Sequence, residues 1–563
     1  MRILVWIVLA FGISASFAQT TPNQDSLKGW YLKDKATEGF AGISLNKAYQ
    51  FLQGRKSTPI IVAVIDSGID TLHEDLKPIL WTNPKEIPGN GIDDDGNGYV
   101  DDVHGWNFLG GKDGTEAEKA SSEKARVYHG FKNLYLGKNI DTNKLSKDEL
   151  WQYKMWKRSA AQIEPNPETA DEIKGLTRYM QKMDECDSII TKETGMRDFS
   201  ADELEKLSLT SIEGKQAKMI HLNLLKMLSS GADAKTSLIK QLLNEQLSHL
   251  QDEVQEKTTA PVDVHATIIK DNYKDFNDRY YGNTNIMGKG SMHGTHVSGI
   301  IAAARNNGVG MDGIADNVKI MMIRAVPDGD EYDKDIALAI RYAVDNGAKV
   351  INMSFGKSYS PQKKWVDEAF QYAASKDVLL VHAAGNDGKN IDSTENYPSA
   401  DFLSGGHASN VITVGASSDA ALTGSYVAGF SNYGKNGTDV FAPGVQIYSS
   451  LPGGNAYGFL DGTSMATPVV AGLAALVRSY FPKLSAVQTK EAIELSISKL
   501  DSTASVYMPG TQMLVNMSAL CHSGGLINAY GAVTEADILS KGPGKDKKVK
   551  LPKTTFKNTK VKA

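Results

Sequence analysis

The sequence predicts an α/β protein: a mostly parallel sheet covered by helices on both faces and interrupted by a large helical insertion. Three observations carry that prediction. Apolar runs of strand length, several rich in β-branched residues, recur at 59–65, 318–326, 348–354, 378–384 and 411–414. Between them lie helical patterns such as Asp335 to Asn346, which Gly347 is placed to stop. From about Trp106 to Tyr281 the strand runs disappear and the chain turns charged and helical. Continuous apolar strands are the kind buried on both faces, and strands alternating with helices pair in parallel through helical crossovers. Reactive groups in such folds collect at the carboxyl ends of the strands.

Composition sets the frame. With 563 residues, 41% of them hydrophobic and 23% charged, the chain has material for a large core. A formal net charge of −5 is small for this length and points to neither nucleic acid nor a membrane surface. Arg2, the apolar run Ile3 to Ile13 and the exit Ser16, Phe17, Ala18 match a secretory signal peptide (residues 1–18), cut after Ala18. The sequence thus predicts an exported protein, resident in the periplasm, the cell envelope or the medium. No later stretch reaches the ~20 apolar residues of a membrane span. Cys186 and Cys521 rule out a disulfide framework and leave either one bridge or two buried thiols.

In chain order, the first strand run delivers Asp66, Ser67 and Gly68 at its carboxyl end. Next comes GIDDDGNGYVDD, in which Asp93, Asp95, Asn97, Gly98 and Asp101 have the one, three, five, six and nine spacing of an EF-type calcium loop. Position twelve is His104 rather than a bidentate glutamate, so either the geometry differs or Asp102 contributes. Within the insertion, Ser146 with Glu149 and Ser200 with Glu203 form capping boxes. Ile239, Leu243, Leu247, Leu250 and Val254 make one apolar stripe, the pattern of a helix facing a core. The fourth strand run ends in Ala383, Ala384, Gly385, Asn386. After Glu535 the chain becomes a tail with nine lysines between Lys541 and Lys562, of a composition that favours disorder.

Gly462 to Pro468, GTSMATP, puts Ser464 where a glycine turn meets an incoming helix. Pro468 is tolerable only near that helix start, where backbone donors lack partners. A serine there is a cap by default and a nucleophile only with help. Its hydroxyl needs an imidazole to take the proton and a carboxylate to hold the imidazole. HGTHVSG, His293 to Gly299, supplies two candidate imidazoles, His293 and His296, and Asp66 the carboxylate. A zinc reading of the histidine pair fails, because HGTH lacks the HExxH spacing and its glutamate.

DSG, HGTHVSG and GTSMATP, in the order Asp, His, Ser, together resemble the subtilases, the subtilisin-like serine proteases, over roughly 28–106 and 282–535. The resemblance implies a three-layer subtilisin-like fold, divided into 19–105 and 282–535 as catalytic domain, 106–281 as insertion and 536–563 as tail. It implies Asp66 as orienting acid, His293 as general base, with His296 structural, and Ser464 as nucleophile. Asn386 and the Ser464 N–H become the oxyanion donors. Ser354, Phe355 and Gly356 become the strand that pairs with an extended substrate. Asp387 falls near the rim of the first specificity pocket, with a mild preference for a basic residue as the expected result. Asp75 and the Asn306 to Gly310 loop, including Asn307, match segments that hold structural calcium in several subtilases. Calcium is thus the expected structural ion, and no catalytic cofactor is implied.

The implied activity is that of a serine endopeptidase acting on polypeptides. Its rivals are a narrow-specificity envelope processing protease and a noncatalytic binding protein on the same fold. The short span from Ala18 to Asp66 leaves no room for an amino-terminal inhibitory propeptide. The insertion is then a lid, a substitute folding helper, or a solvent-exposed excursion. The basic tail offers a further option, attachment to anionic envelope material.

Overall fold

The computed structural model describes residues 24–164, 166–228, 235–498 and 506–542. The expected signal peptide (1–18) and the chain beyond Gly542 lie outside the described residues. These residues divide into two compact units, one built from 25–120 with 263–542 and one from 121–262.

The first unit is organised by a seven-stranded sheet in the order β2-β3-β1-β4-β5-β6-β7, every neighbouring pair parallel. Its strands are β1 (Ile60–Asp66), β2 (Gly105–Asn107), β3 (Val318–Arg324), β4 (Val350–Met353), β5 (Leu379–Ala383), β6 (Val411–Ser417) and β7 (Val440–Pro443). Five of them are the apolar runs of the sequence. β2 and β7 escape sequence reading because β2 has only three residues and β7, four residues long, is preceded by Asp439 and ends in Pro443. Side chains alternate between two cores. Val62, Val64, Ile320 and Met322 face one, and Ala63, Ile65, Met321 and Ile323 face the other.

The first core is covered by α1 (Met292–Ala302) and α4 (Thr463–Tyr480), the second by α2 (Asp333–Asp345) and α3 (Lys363–Ser375). This is the three-layer α/β arrangement that the sequence predicts. β1 pairs with β3 on one side and β4 on the other, so the strand order reverses there. A crevice opens outside the carboxyl ends of the strands at such a reversal, which is where Asp66 stands. Beyond β7, β8 (Ile447–Leu451) and β9 (Ala456–Leu460) form an antiparallel hairpin.

The second unit is helical: Glu123–Tyr135, Lys147–Gln162, Thr169–Thr194, Ala201–Lys206, Ile212–Leu228 and Thr236–Gln255. Both predicted capping boxes are formed, at Ser146 with Glu149 and at Ser200 with Glu203. Ile239 and Leu243 enter a core with Met183, Ile190, Phe199 and Leu204. The rest of the stripe weakens outward, and Val254 is 40% exposed.

The insertion is shorter than the expected 106–281. Residues 106–120 and 263–281 belong to the sheet unit, because Trp106, Phe108, Ala117, Val264, Ile269 and Tyr281 are buried in its second core. Charged neighbours masked these apolar anchors in the sequence. At the other end, the helix Ala529–Ser540 carries order past the expected boundary at 535. Cys186 and Cys521 are both free and buried, each in the core of a different unit. Among the described residues no helix is long and apolar enough to cross a membrane.

Candidate active site

Asp66 ends β1 almost fully buried, 1% exposed, and its Oδ1 meets His293 Nδ1 at 2.8 Å. The same oxygen accepts the Ser67 amide at 2.7 Å, which fixes the carboxylate against its own turn. A carboxylate at Nδ1 assigns the proton to that nitrogen and leaves Nε2 to accept. The His293 side chain is 34% exposed, so one edge of the ring faces solvent. Gly294 makes the approach possible: a Cβ there would stand 2.2 Å from Gly68 O and 3.1 Å from Asp66 Cβ. Any larger residue would push the first turn of α1 off the strand end.

The β8–β9 hairpin holds that turn from the other side. Ser449 Oγ donates to His296 O at 2.7 Å and Ser450 Oγ to Thr295 O at 3.0 Å. His296 Nε2 lies 3.2 Å from Gly458 O, and burial pushes its pKa down to about 3. A neutral, enclosed ring of this kind is structural, and of the two histidines only His293 meets Asp66.

Ser464 sits in the first turn of α4, and its hydroxyl donates to Ser354 O at 3.0 Å. Ser354 Oγ in turn donates to Ser464 O at 2.9 Å, tying the helix start to the chain leaving β4. Asn386 follows β5. Its Oδ1 accepts both the amide and the hydroxyl of Thr463, at 2.9 and 2.8 Å, which turns Nδ2 the other way. A Cβ placed on Gly462 would be 3.5 Å from Ser464 N and 3.6 Å from Asn386 Nδ2. The two nitrogens thus flank the same point beside the backbone of Gly462.

The expected substrate strand is partly buried. Phe355 O is held by His382 Nε2 at 2.9 Å, whereas Gly356 is exposed. Asp387 is exposed too, with its amide bound to Asn432 Oδ1 at 3.0 Å. Asn432 is a residue that sequence reading missed. It also accepts Lys389 N at 2.9 Å and donates to Ala384 O at 2.9 Å, clamping the loop that presents Asn386. Gly385 in that loop has φ 97°, and a Cβ there would come within 2.5 Å of Asn432 Nδ2. Thr463 and Arg324 were missed as well. Arg324, 2% exposed, donates through Nε to Ser67 O at 3.0 Å and pairs with Glu116 and Glu118. Nothing local marks these residues, because their partners are remote in sequence.

Of the residues expected to hold calcium, some meet and others do not. Asp93 and Asp95 stay close, but Asp101 turns away and accepts the amides of Gly89, Asn90 and Gly91. Asn97 donates through Nδ2 to Asp102, and His104 Nδ1 lies 2.7 Å from Trp81 O. Asp75 and Asn307 do meet, at 2.6 Å. Donors take both Asp75 oxygens: Asn307 Nδ2 on Oδ1, Met311 N and Tyr457 OH on Oδ2.

Comparison with known proteins agrees with this arrangement. The chain is 39% identical over 243 residues to a thermophilic serine proteinase of Bacillus sp. (strain AK1), covering 43% of this chain and 52% of that protein. It is 37% identical over 275 residues to the cell wall-associated protease of Bacillus subtilis (strain 168), covering 47% of this chain and 29% of that one. It is 38% identical over 231 residues to subtilisin BL of Lederbergia lenta, covering 41% and 77%. The chain thus spans about half of the first relative and under a third of the second. The profile of the subtilase family matches residues 57–510, most of the chain and every residue of the site above, and on that match the chain belongs to the subtilase family.

Proposed function

We propose that this chain is an exported serine endopeptidase that cleaves polypeptides through an acyl-enzyme. The observation that carries the reading is the pairing of a buried Asp66 with a part-exposed His293, together with Ser464 and the two amide nitrogens beside Gly462. Ser464 Oγ leaves the Ser354 carbonyl, passes its proton to His293 Nε2 and attacks the scissile carbonyl carbon. Asp66 keeps the imidazolium oriented and stabilised. Asn386 Nδ2 and Ser464 N hold the oxyanion, already aimed when the charge appears. His293 then returns the proton to the leaving amine, and water repeats the sequence on the ester. Export rests on the amino-terminal sequence alone.

A fluorophosphonate probe followed by peptide mapping tests the chemistry. Labelling at Ser464 is expected, together with a fall in kcat on the order of 10⁶-fold in Ser464→Ala. A folded protein that takes no label overturns the reading in favour of a noncatalytic binder. Sequencing the amino terminus of the secreted protein tests export, with cleavage after Ala18 expected.

A further inference from the structure

Glu86 is 7% exposed, and its two carboxylate oxygens have different fates. Oε1 accepts the amides of Asp94 and Asp95 at 3.0 and 3.2 Å. Oε2 is buried without a hydrogen-bond partner. An anionic oxygen in that position is costly unless a cation reaches it. One oxygen from each of Glu86, Asp93 and Asp95 lies within 4.8 Å of the others, so two more carboxylates share the same small space.

The protein's own donors leave that cluster underneutralised. Asn97 N and Gly98 N bind Asp93 at 3.0 and 2.8 Å, and Asn97 N also reaches Asp95 at 3.1 Å. Asn83 Nδ2 stands 3.3 Å from Asp95 Oδ2. Lys85 Nζ is 3.9 Å from the same oxygen on a side chain 71% exposed, so solvent screens most of its charge.

We propose that Glu86, Asp93 and Asp95 bind a hard divalent cation of the calcium class, with water completing the shell. This is not the EF-type set expected from the spacing. The loop contributes its first and third positions, the ninth (Asp101) is committed elsewhere, and the missing glutamate comes from upstream of the loop instead of position twelve. Asn83 and Asp102 brace the site, and Asp102 accepts Tyr342 OH of α2 at 2.6 Å, linking the cation loop to the second core. The proposal does not depend on the peptidase reading.

Its test is calorimetric titration of the chelator-stripped full chain with calcium chloride, in a Ser464→Ala, Asp75→Asn background. That background removes self-cleavage and the Asp75 loop from the readout. One calcium per chain is expected, weakened at least tenfold by Glu86→Gln and left within twofold by Asp101→Asn. A thermal midpoint raised by calcium, and raised less in Glu86→Gln, is expected alongside. Asp93→Asn provides the same comparison where Glu86→Gln does not fold. No calcium heat in the background protein, or equal affinity in folded Glu86→Gln and Asp93→Asn, overturns the proposal. Affinity lost in Asp101→Asn but kept in Glu86→Gln restores the EF-type set instead.

Discussion

The two units of this chain are put together in opposite ways. The helical unit is one stretch of sequence, 121–262, in which three helices begin with local serine caps, at Ser122, Ser146 and Ser200, and side chains are buried against sequence neighbours. The sheet unit joins segments hundreds of residues apart: β1 lies between β3 and β4, and the residues of the candidate site come from positions 66, 293, 386 and 464. Such long-range pairing needs rigid two-sided burial to hold its register, and that rigidity is what a preorganised oxyanion site requires. The contrast teaches that a long insertion is tolerated where it closes on its own core, and that its roots belong to the host.

The sharpest way to break this contrast is to move the cut. Replacing 121–262 by a flexible linker should leave a folded sheet unit that still labels at Ser464. Replacing 112–278 should cost at least the roughly 3–5 kcal/mol of one broken buried ion pair. That cut removes His265 and Asp271, and Asp271 is 2.6 Å from Lys334, a lysine with no exposed side-chain surface. Urea denaturation of the two deletions measures the difference; equal stability would place the boundary back at the longer insertion.

Within the sheet unit, Asn386→Leu should lower kcat by about 10²–10³-fold with KM little changed, since the donor acts on charge that appears only in the transition state. Steady-state kinetics on a peptide substrate provide the check.

A third test uses pH. Burial pushes His382 down to about 4. The unfolded chain takes up that proton below its ordinary ~6.5, while the native chain does so only near the lowered value. Stability from the neutral ring is therefore complete above ~6.5 and is lost as pH falls, by about 1.4 kcal/mol per unit down to the native value. Glu331 and Glu494 titrate in the opposite sense, pushed up by burial to about 8 and about 7. The readout is thus the difference between wild type and His382→Asn in urea curves from pH 7 to 5, which should narrow as pH falls.

The smallest effect is expected in the helical unit. Ser200→Ala removes the cap on Glu203 N and should cost about 1 kcal/mol. Faster hydrogen exchange confined to 121–262, with unchanged kcat/KM, would keep the two units separate; a change in kcat/KM would join them.

Much of this was legible. The five predicted strands, the capping boxes and the candidate triad residues each rest on a local signal: an apolar run, a four-residue spacing, or a reactive residue in a conspicuous turn. The boundaries at 121 and 262 were not, because Trp106, Phe108, Val264 and Tyr281 reveal themselves only by the core that they enter. The acidic loop at 90–102 shows the same limit. Its spacing was visible, but a carboxylate such as Asp101 with two free oxygens satisfies whichever donors the folded chain supplies, and here those are three backbone amides.

The sequence by itself determined five of the strands, two capping boxes and the family, and it named the candidate reactive residues, since each depends on chemistry carried within a few positions. Only the tertiary structure decided that Thr463 aims Asn386, that Asn432 clamps its loop, that Arg324 braces the turn after Asp66 and that Glu86 joins Asp93 and Asp95. Those roles are set by distances across the fold. Hydrogen bonds and ion pairs act over a few ångströms, and the sheet register and the β1 reversal bring those groups within reach.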